Sequence, residues 1–223
     1  MPPRPFDVLL PLEQAYRRDA MLAVELLDPV TLARVSHGVT VTANGLDGTP
    51  IVNYGGMFVW LRQSLASFRQ LDIDPGMLPF ERMAIPAAQV ALPVCRVLLR
   101  ARANYPFAPG VTAIRGALYE ARVGAGAMPV PVAGATLRLA WLHEDRPPTW
   151  VAAPASATSV TDARGQFVTV LRFAPADAPA VDAHGQLSLR LFARRGASPE
   201  MHHDFALPRD RVTDAVYAWD ELV

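Results

Sequence analysis

The sequence predicts an all-β protein made of two tandem antiparallel β-sandwich domains, and three observations support this. The 21 prolines and 14 glycines are scattered along the 223 residues, as expected for many short strands joined by turns and not for long helices. Apolar segments of strand length alternate with turn signals. The order of these segments in the first half also recurs in the second half.

Strand patterns fill the first half after a short N-terminal arm. Val39 and Val41 alternate with threonines, as a strand with one buried face requires. The turn signals between strands include Asp28-Pro29 and the Asn-Tyr-Gly-Gly sequence that begins at Asn53. We expect strands at residues 20–27, 38–43, 57–61, 67–73 and 95–103.

The second half begins at a proline-rich joint, residues 105–110. We expect strands at residues 111–119, 135–142, 166–173 and 187–194, and an extended loop at 144–159. The tail, 210–223, fits a helix with Val212, Val216 and Trp219 on one stripe, and a final strand is the alternative. The predicted organisation is an arm at 1–18, a first domain at 19–104 and a second domain at 105–223.

A matching turn in each half suggests an internal duplication. An Asx side chain accepts hydrogen bonds from the backbone ahead of it, and a glycine adopts the positive φ of a tight turn. The phenylalanines that follow, Phe58 and Phe167, are predicted to enter the two cores. The turn residues are Asn53, Gly56, Asp162 and Gly165.

Residues 111–173 resemble the carboxypeptidase regulatory-like, or transthyretin-like, β-sandwich family. The resemblance rests on Ile114-Arg-Gly-Ala-Leu118, Pro131-Val-Ala-Gly-Ala-Thr-Leu137 and Thr161-Asp-Ala-Arg-Gly-Gln-Phe167. It implies Ig-like or transthyretin-like sandwiches, and family members usually serve as appended binding or structural modules. The first half is a degenerate copy, because it has Asn53 in place of the Thr-Asp pair.

Composition lowers the expectation for several classes of function. The 21 basic residues, all arginine, balance the 21 acidic residues, so no net field attracts nucleic acid. No window approaches the roughly 18 apolar residues of a membrane span. The apolar run near the amino terminus is too short for a secretory signal, which predicts a cytoplasmic protein without membrane insertion.

No familiar catalytic motif stands out, and the sequence predicts a binding or structural protein, not an enzyme, with no cofactor. Cys95 sits in a strand-like apolar segment and reads as an inert core thiol. His202 and His203, followed by an aspartate, are candidate metal ligands, but neighbouring side chains on a strand point to opposite faces.

Other titratable residues have ordinary interpretations. Asp72 and Asp74 are candidates for acid–base chemistry with Glu81 or for calcium binding, yet they flank a Pro-Gly turn where exposed acids are common. The remaining histidines fall in predicted turns, where a solvated surface role is favoured: His37, His143 and His184.

The aromatic residues divide between core and surface. Trp60 and Trp141 lie within strand patterns and are expected in the cores. Interface roles are predicted for residues in loops and in the tail, because aromatic side chains are enriched at protein contacts. These interface candidates are Trp150, Trp219, Tyr217 and Tyr54.

The leading functional hypothesis is a non-enzymatic structural or adaptor subunit that contacts other protein subunits, within a larger assembly or a homo-oligomer. Tandem sandwiches without a leader also resemble accessory proteins of phage-tail-like contractile injection particles. One alternative is a carbohydrate- or small-ligand-binding module that uses Trp150 or Tyr54. The second alternative is a metal-dependent enzyme that uses His202 and His203.

Overall fold

The computed structural model describes residues 20–61, 64–121, 128–143, 149–152, 158–173, 177 and 179–223. These residues form an all-β structure with several antiparallel sheets, which confirms the predicted fold class. The predicted arm at residues 1–18 and parts of the predicted loop at 144–159 lie outside the described residues.

The backbone divides into two compact units. Ala33–Leu78 and Arg82–Val97 join the described residues up to Leu27 in the first unit. Asp28–Leu32 and Pro79–Glu81 join Leu98–Val223 in the second. The proline-rich joint at 105–110 therefore lies inside the second unit.

The described residues of the first unit form seven strands: β1 Ala20–Leu27, β2 Thr40–Asn44, β3 Ile51–Val52, β4 Phe58–Leu61, β5 Gln70–Asp74, β6 Met83–Pro86 and β7 Val94–Leu98. These strands make two sheets, one with the order β3-β4-β1-β7 and the other with the order β2-β5-β6. The five strands predicted for this half correspond to β1, β2, β4, β5 and β7, whereas β3 and β6 are additional short strands.

The described residues of the second unit form eight strands: β8 Thr112–Tyr119, β9 Thr136–His143, β10 Thr149–Ala152, β11 Ser159–Val160, β12 Gln166–Leu171, β13 Gln186–Arg194, β14 Met201–Pro208 and β15 Val212–Ala218. They also make two sheets. One has the order β10-β9-β13-β14, with β11 also paired to β9, and the other has the order β12-β8-β15. Strand β15 runs parallel to β8.

One expectation for this half was wrong: part of the predicted loop forms strand β10, which pairs with β9 from Thr149 to Ala152. For the tail, the structure confirms the strand alternative and not the helix. The tail forms strand β15, followed by a single 3-10 turn. Tyr217 is buried while its neighbour Val216 is 64% exposed, so the tail follows the two-residue period of a strand.

The two units share one pairing scheme. In the first unit β1 lies between β4 and β7, and in the second β8 lies between β12 and β15. In the other sheet of the first unit β5 lies between β2 and β6, and in the other sheet of the second unit β13 lies between β9 and β14. Six strands therefore correspond in order and in partners, which agrees with the duplication suggested by the sequence.

The matching turns form in both units. The side chain of Asn53 accepts a hydrogen bond of 2.9 Å from the amide of Met57, and that of Asp162 accepts one of 2.8 Å from the amide of Gln166. The glycines of the two turns have φ values of 75° and 73°. Beyond the turns, Phe58 and Phe167 are buried at 3% and 1% exposure, as predicted.

A third turn of this kind precedes β13. The side chain of Asp182 accepts hydrogen bonds from the amides of His184 and Gln186, and Gly185 has a φ of 75°. The sequence signal was present, because Asp-Ala-His-Gly-Gln at residues 182–186 repeats the pattern of residues 162–166. One turn geometry therefore precedes both β12 and β13.

Candidate interaction surface

Strand β13 has one buried and one outward face. Leu187, Leu189 and Leu191 are all 0% exposed and belong to the core of the second unit. Side chains alternate along a strand, so Arg190 and Phe192 face outward. The register places Arg190 opposite Ala140 and Phe192 opposite Arg138 on β9.

The outward residues of this sheet form a cluster of cations stacked on rings, which we call the arginine–aromatic face. The guanidinium carbon of Arg190 lies 4.4 Å from the centroid of the Trp150 ring. That of Arg138 lies 3.8 Å from the centroid of the Phe192 ring. The face consists of Arg138, Trp150, Arg190, Phe192 and His202.

Each arginine of this face is also held by a carboxylate. Arg190 donates two hydrogen bonds to Asp204, at 2.6 and 2.7 Å. Arg138 donates two to Glu200. These hydrogen bonds lower the pKa values of Asp204 and Glu200 below their ordinary range. Paired, stacked guanidinium groups have little rotamer freedom left, so the face is pre-organised.

Ala140 is a small residue on the outward side of β9, opposite Arg190 in the register with β13. It is only 1% exposed, so larger neighbouring side chains cover it. Cation–ring contacts contribute about 0.5–2 kcal/mol each, depending on how far water is excluded.

The structure separates the four predicted interface residues. Trp150 belongs to the arginine–aromatic face and is half-buried. Tyr54 lies in the first unit, fully exposed in the turn before β4. Tyr217 is only 8% exposed in the core, and burial raises its pKa to about 12. Trp219 is half-buried against the same core.

The two adjacent histidines diverge. The ring of His202 lies 6.0 Å from Phe192 on the outward face, whereas that of His203 lies 5.7 Å from the buried Tyr217. This is the divergence expected of neighbours on a strand. Among the described residues, no group of three or more His, Cys, Asp or Glu side chains is placed to hold a metal ion.

Two of the three candidate acids have partners within the first unit. Asp72 accepts hydrogen bonds from the side-chain amides of Asn44 and Gln70, and Asp74 pairs with Arg82 at 2.7 Å. Glu81 belongs to the other unit.

The cysteine and the remaining histidines differ in how far they are exposed to solvent. Cys95 is buried, which raises the pKa of its thiol. His37 and His184 are exposed, while His143 ends β9 and is half-buried. Sequence reasoning predicted Cys95 in the core, and the structure confirms that position.

Comparison with known proteins adds little to this description. No protein-family description matches the chain, and no curated protein matches it. Among solved structures the chain is similar to the Bacillus anthracis TIE protein, with a TM-score of 0.29 and 7% sequence identity. The match covers 90% of this chain and 34% of that chain, and a TM-score this low carries no argument.

One further finding concerns membranes. Among the described residues, no helix has the length and apolar character that crossing a bilayer requires.

Proposed function

We propose that the protein is a non-enzymatic structural or adaptor subunit that binds another protein through the arginine–aromatic face. The observation that carries this proposal is the composition and rigidity of the face. Tryptophan and arginine are the residue types most enriched at binding hot spots. Trp150 and Arg190 are stacked on each other and still partly exposed, with the Arg190 side chain at 23%.

The charges of the face favour a protein partner over a polyanion. Arg138 and Arg190 are each neutralised by a carboxylate at hydrogen-bond distance. A nucleic-acid surface needs arginines whose charge is not already neutralised. Aromatic rings flanked by neutral ion pairs instead match the apolar centre and polar rim of a protein contact.

A more specific form of the proposal places the chain in a phage-tail-like contractile injection particle, as an accessory subunit. Its support is the pair of tandem β-sandwich units, and it rests on architectural analogy. It predicts that tube- or sheath-like proteins accompany the chain in a fixed ratio.

The carbohydrate-binding alternative finds less support on this face. A sugar stacks on an open aromatic ring, whereas one side of the Trp150 ring is covered by the Arg190 guanidinium. Tyr54 offers an exposed ring in the other unit, in a turn held by Asn53.

The proposal is tested by comparing variants in their native host. Trp150→Ala combined with Phe192→Ala removes both stacking rings, and Arg164→Gln serves as a control in an exposed turn of the same unit. We expect a partner to co-purify in fixed stoichiometry with the wild type and with the control, and to be lost from the double variant. Equal recovery with all three proteins, each folded by circular dichroism, would exclude this face as the contact.

A further inference from the structure

A pocket of the second unit lies at one end of the sheet β12-β8-β15. The end of β12, the start of β8 and the turn before β15 line this open pocket, which has a volume of about 260 Å³. Its lining combines the polar residues Thr112, Arg172, Arg209 and Asp210 and the aromatic Phe173 with aliphatic side chains. It is built from other strands than the arginine–aromatic face.

The two arginines of this pocket differ from those of the arginine–aromatic face. The Nε of Arg209 lies 3.8 Å from a carboxylate oxygen of Asp210, which is too long for a hydrogen bond. Arg172 is exposed and makes no ion pair within the described part of the chain. Two guanidinium groups therefore line the pocket with one carboxylate, an excess of positive charge.

The turn that carries Arg209 is held in a fixed shape. Asp210 has a φ of 60°, a conformation that residues other than glycine seldom adopt. Its amide donates a hydrogen bond of 2.8 Å to the hydroxyl of Thr112, which is itself only 4% exposed. The amide of Ala113 binds the carbonyl of Arg211 at 3.1 Å. The pocket wall is therefore tied to β8.

We propose that this pocket binds an oxyanion of the phosphate type through Arg172 and Arg209. A guanidinium fork matches the oxygens of such a group with two parallel hydrogen bonds. The pocket is large enough for a phosphate together with a small substituent. Because the Arg209 side chain is 52% exposed, binding is modest and weakens as salt is added.

The test is titration of the full chain with inorganic phosphate in low-salt buffer, followed by calorimetry and backbone amide NMR. We expect saturable binding with one site, with the largest shifts at residues 110–112 and 209–211. Arg172→Gln and Arg209→Gln should each weaken binding about tenfold, since each removes the charge-assisted hydrogen bonds of one guanidinium group. Arg164→Gln, outside the pocket, should bind as the wild type does.

The source of the oxyanion is distinguished by a second titration with glycerol 3-phosphate. Tighter binding than inorganic phosphate identifies a phosphate ester as the ligand class, and equal binding identifies the free anion. The proposal is overturned if phosphate binding does not saturate. It is also overturned if the Arg172→Gln and Arg209→Gln proteins are folded and both bind phosphate with wild-type affinity.

Discussion

Glu25 is a buried carboxylate on strand β1 that two arginine side chains stabilise. It lies on the opposite side of β1 from the core residues Leu22 and Val24, yet its side chain is only 6% exposed. It accepts hydrogen bonds from Arg34 and, at 2.7 Å, from Arg96. The hydrogen bond from Arg34, more than any other effect, lowers the pKa of Glu25 below its ordinary value.

Removing a partner from this buried carboxylate should be costly. We expect Arg34→Met to lower the free energy of unfolding by about 2 kcal/mol, because it removes a hydrogen bond to a charged, shielded group. Arg82→Met is the matched control: its side chain is 75% exposed beside Asp74, and such pairs contribute about 0–1 kcal/mol. Urea denaturation at pH 7 measures both. Equal losses would mean that Glu25 does not depend on Arg34.

The same residue predicts a pH dependence. Because the pKa of Glu25 is lower in the folded state than the ordinary value of 4.5, its contribution to stability is complete above that value. The contribution is lost as the pH falls through the lower, folded-state pKa. We expect Glu25→Gln to lose less stability than the wild type between pH 5 and pH 3, measured by urea denaturation. Parallel curves would contradict the pKa shift.

At the scale of elements, the Asx–Gly turns set where two strands of the second unit begin. Gly165 and Gly185 have nearly the same φ, 73° and 75°. Their surroundings differ. A Cβ at Gly165 would lie 2.4 Å from the carbonyl oxygen of Leu118, whereas one at Gly185 would meet nothing within 4 Å.

This contrast gives a matched pair of substitutions. Both Gly165→Ala and Gly185→Ala carry the strain of a left-handed alanine, about 1–2 kcal/mol. Only Gly165→Ala also forces the turn away from β8. The Gly165→Ala protein should therefore unfold at a clearly lower temperature than the Gly185→Ala protein. Thermal unfolding monitored by circular dichroism measures the difference. Equal melting temperatures would show that the turn moves freely.

Elements whose sequence patterns are local could be predicted from the sequence, and elements that depend on distant residues could not. The apolar run at Ala20–Leu27 and the turn at Asp162 carry their own patterns, so they were found. The sequence of the tail was compatible with both a helix and a strand, because Val212, Val216 and Trp219 also fit a helical spacing. Its strand form depends on the parallel pairing with β8, which is far away in sequence.

The candidate surface was only partly predictable for the same reason. Trp150 was identified as a surface contact from the sequence. Its neighbour Arg190 reaches it only through the register of β13 with β9 and of β9 with β10. No local motif joins residues from four strands, although the alternation of Arg190 and Phe192 with buried leucines marks an outward face.

For the whole molecule, the two units repeat one pairing scheme while their surfaces differ. The arginine–aromatic face occurs on the second unit, and Tyr54 is exposed on the first. Under the adaptor proposal, the two units would present these different surfaces to other subunits. The resemblance of residues 111–173 to carboxypeptidase regulatory-like domains remains a prediction, consistent with such a role.

The mass of the native particle tests the central proposal most directly. The untagged protein would be purified from its own host under mild conditions, and its particle mass and companions determined by light scattering and mass spectrometry. The adaptor proposal predicts an assembly in which other subunits accompany the chain in a fixed ratio. A single species at the chain mass of 24.2 kDa, without companions, would contradict it.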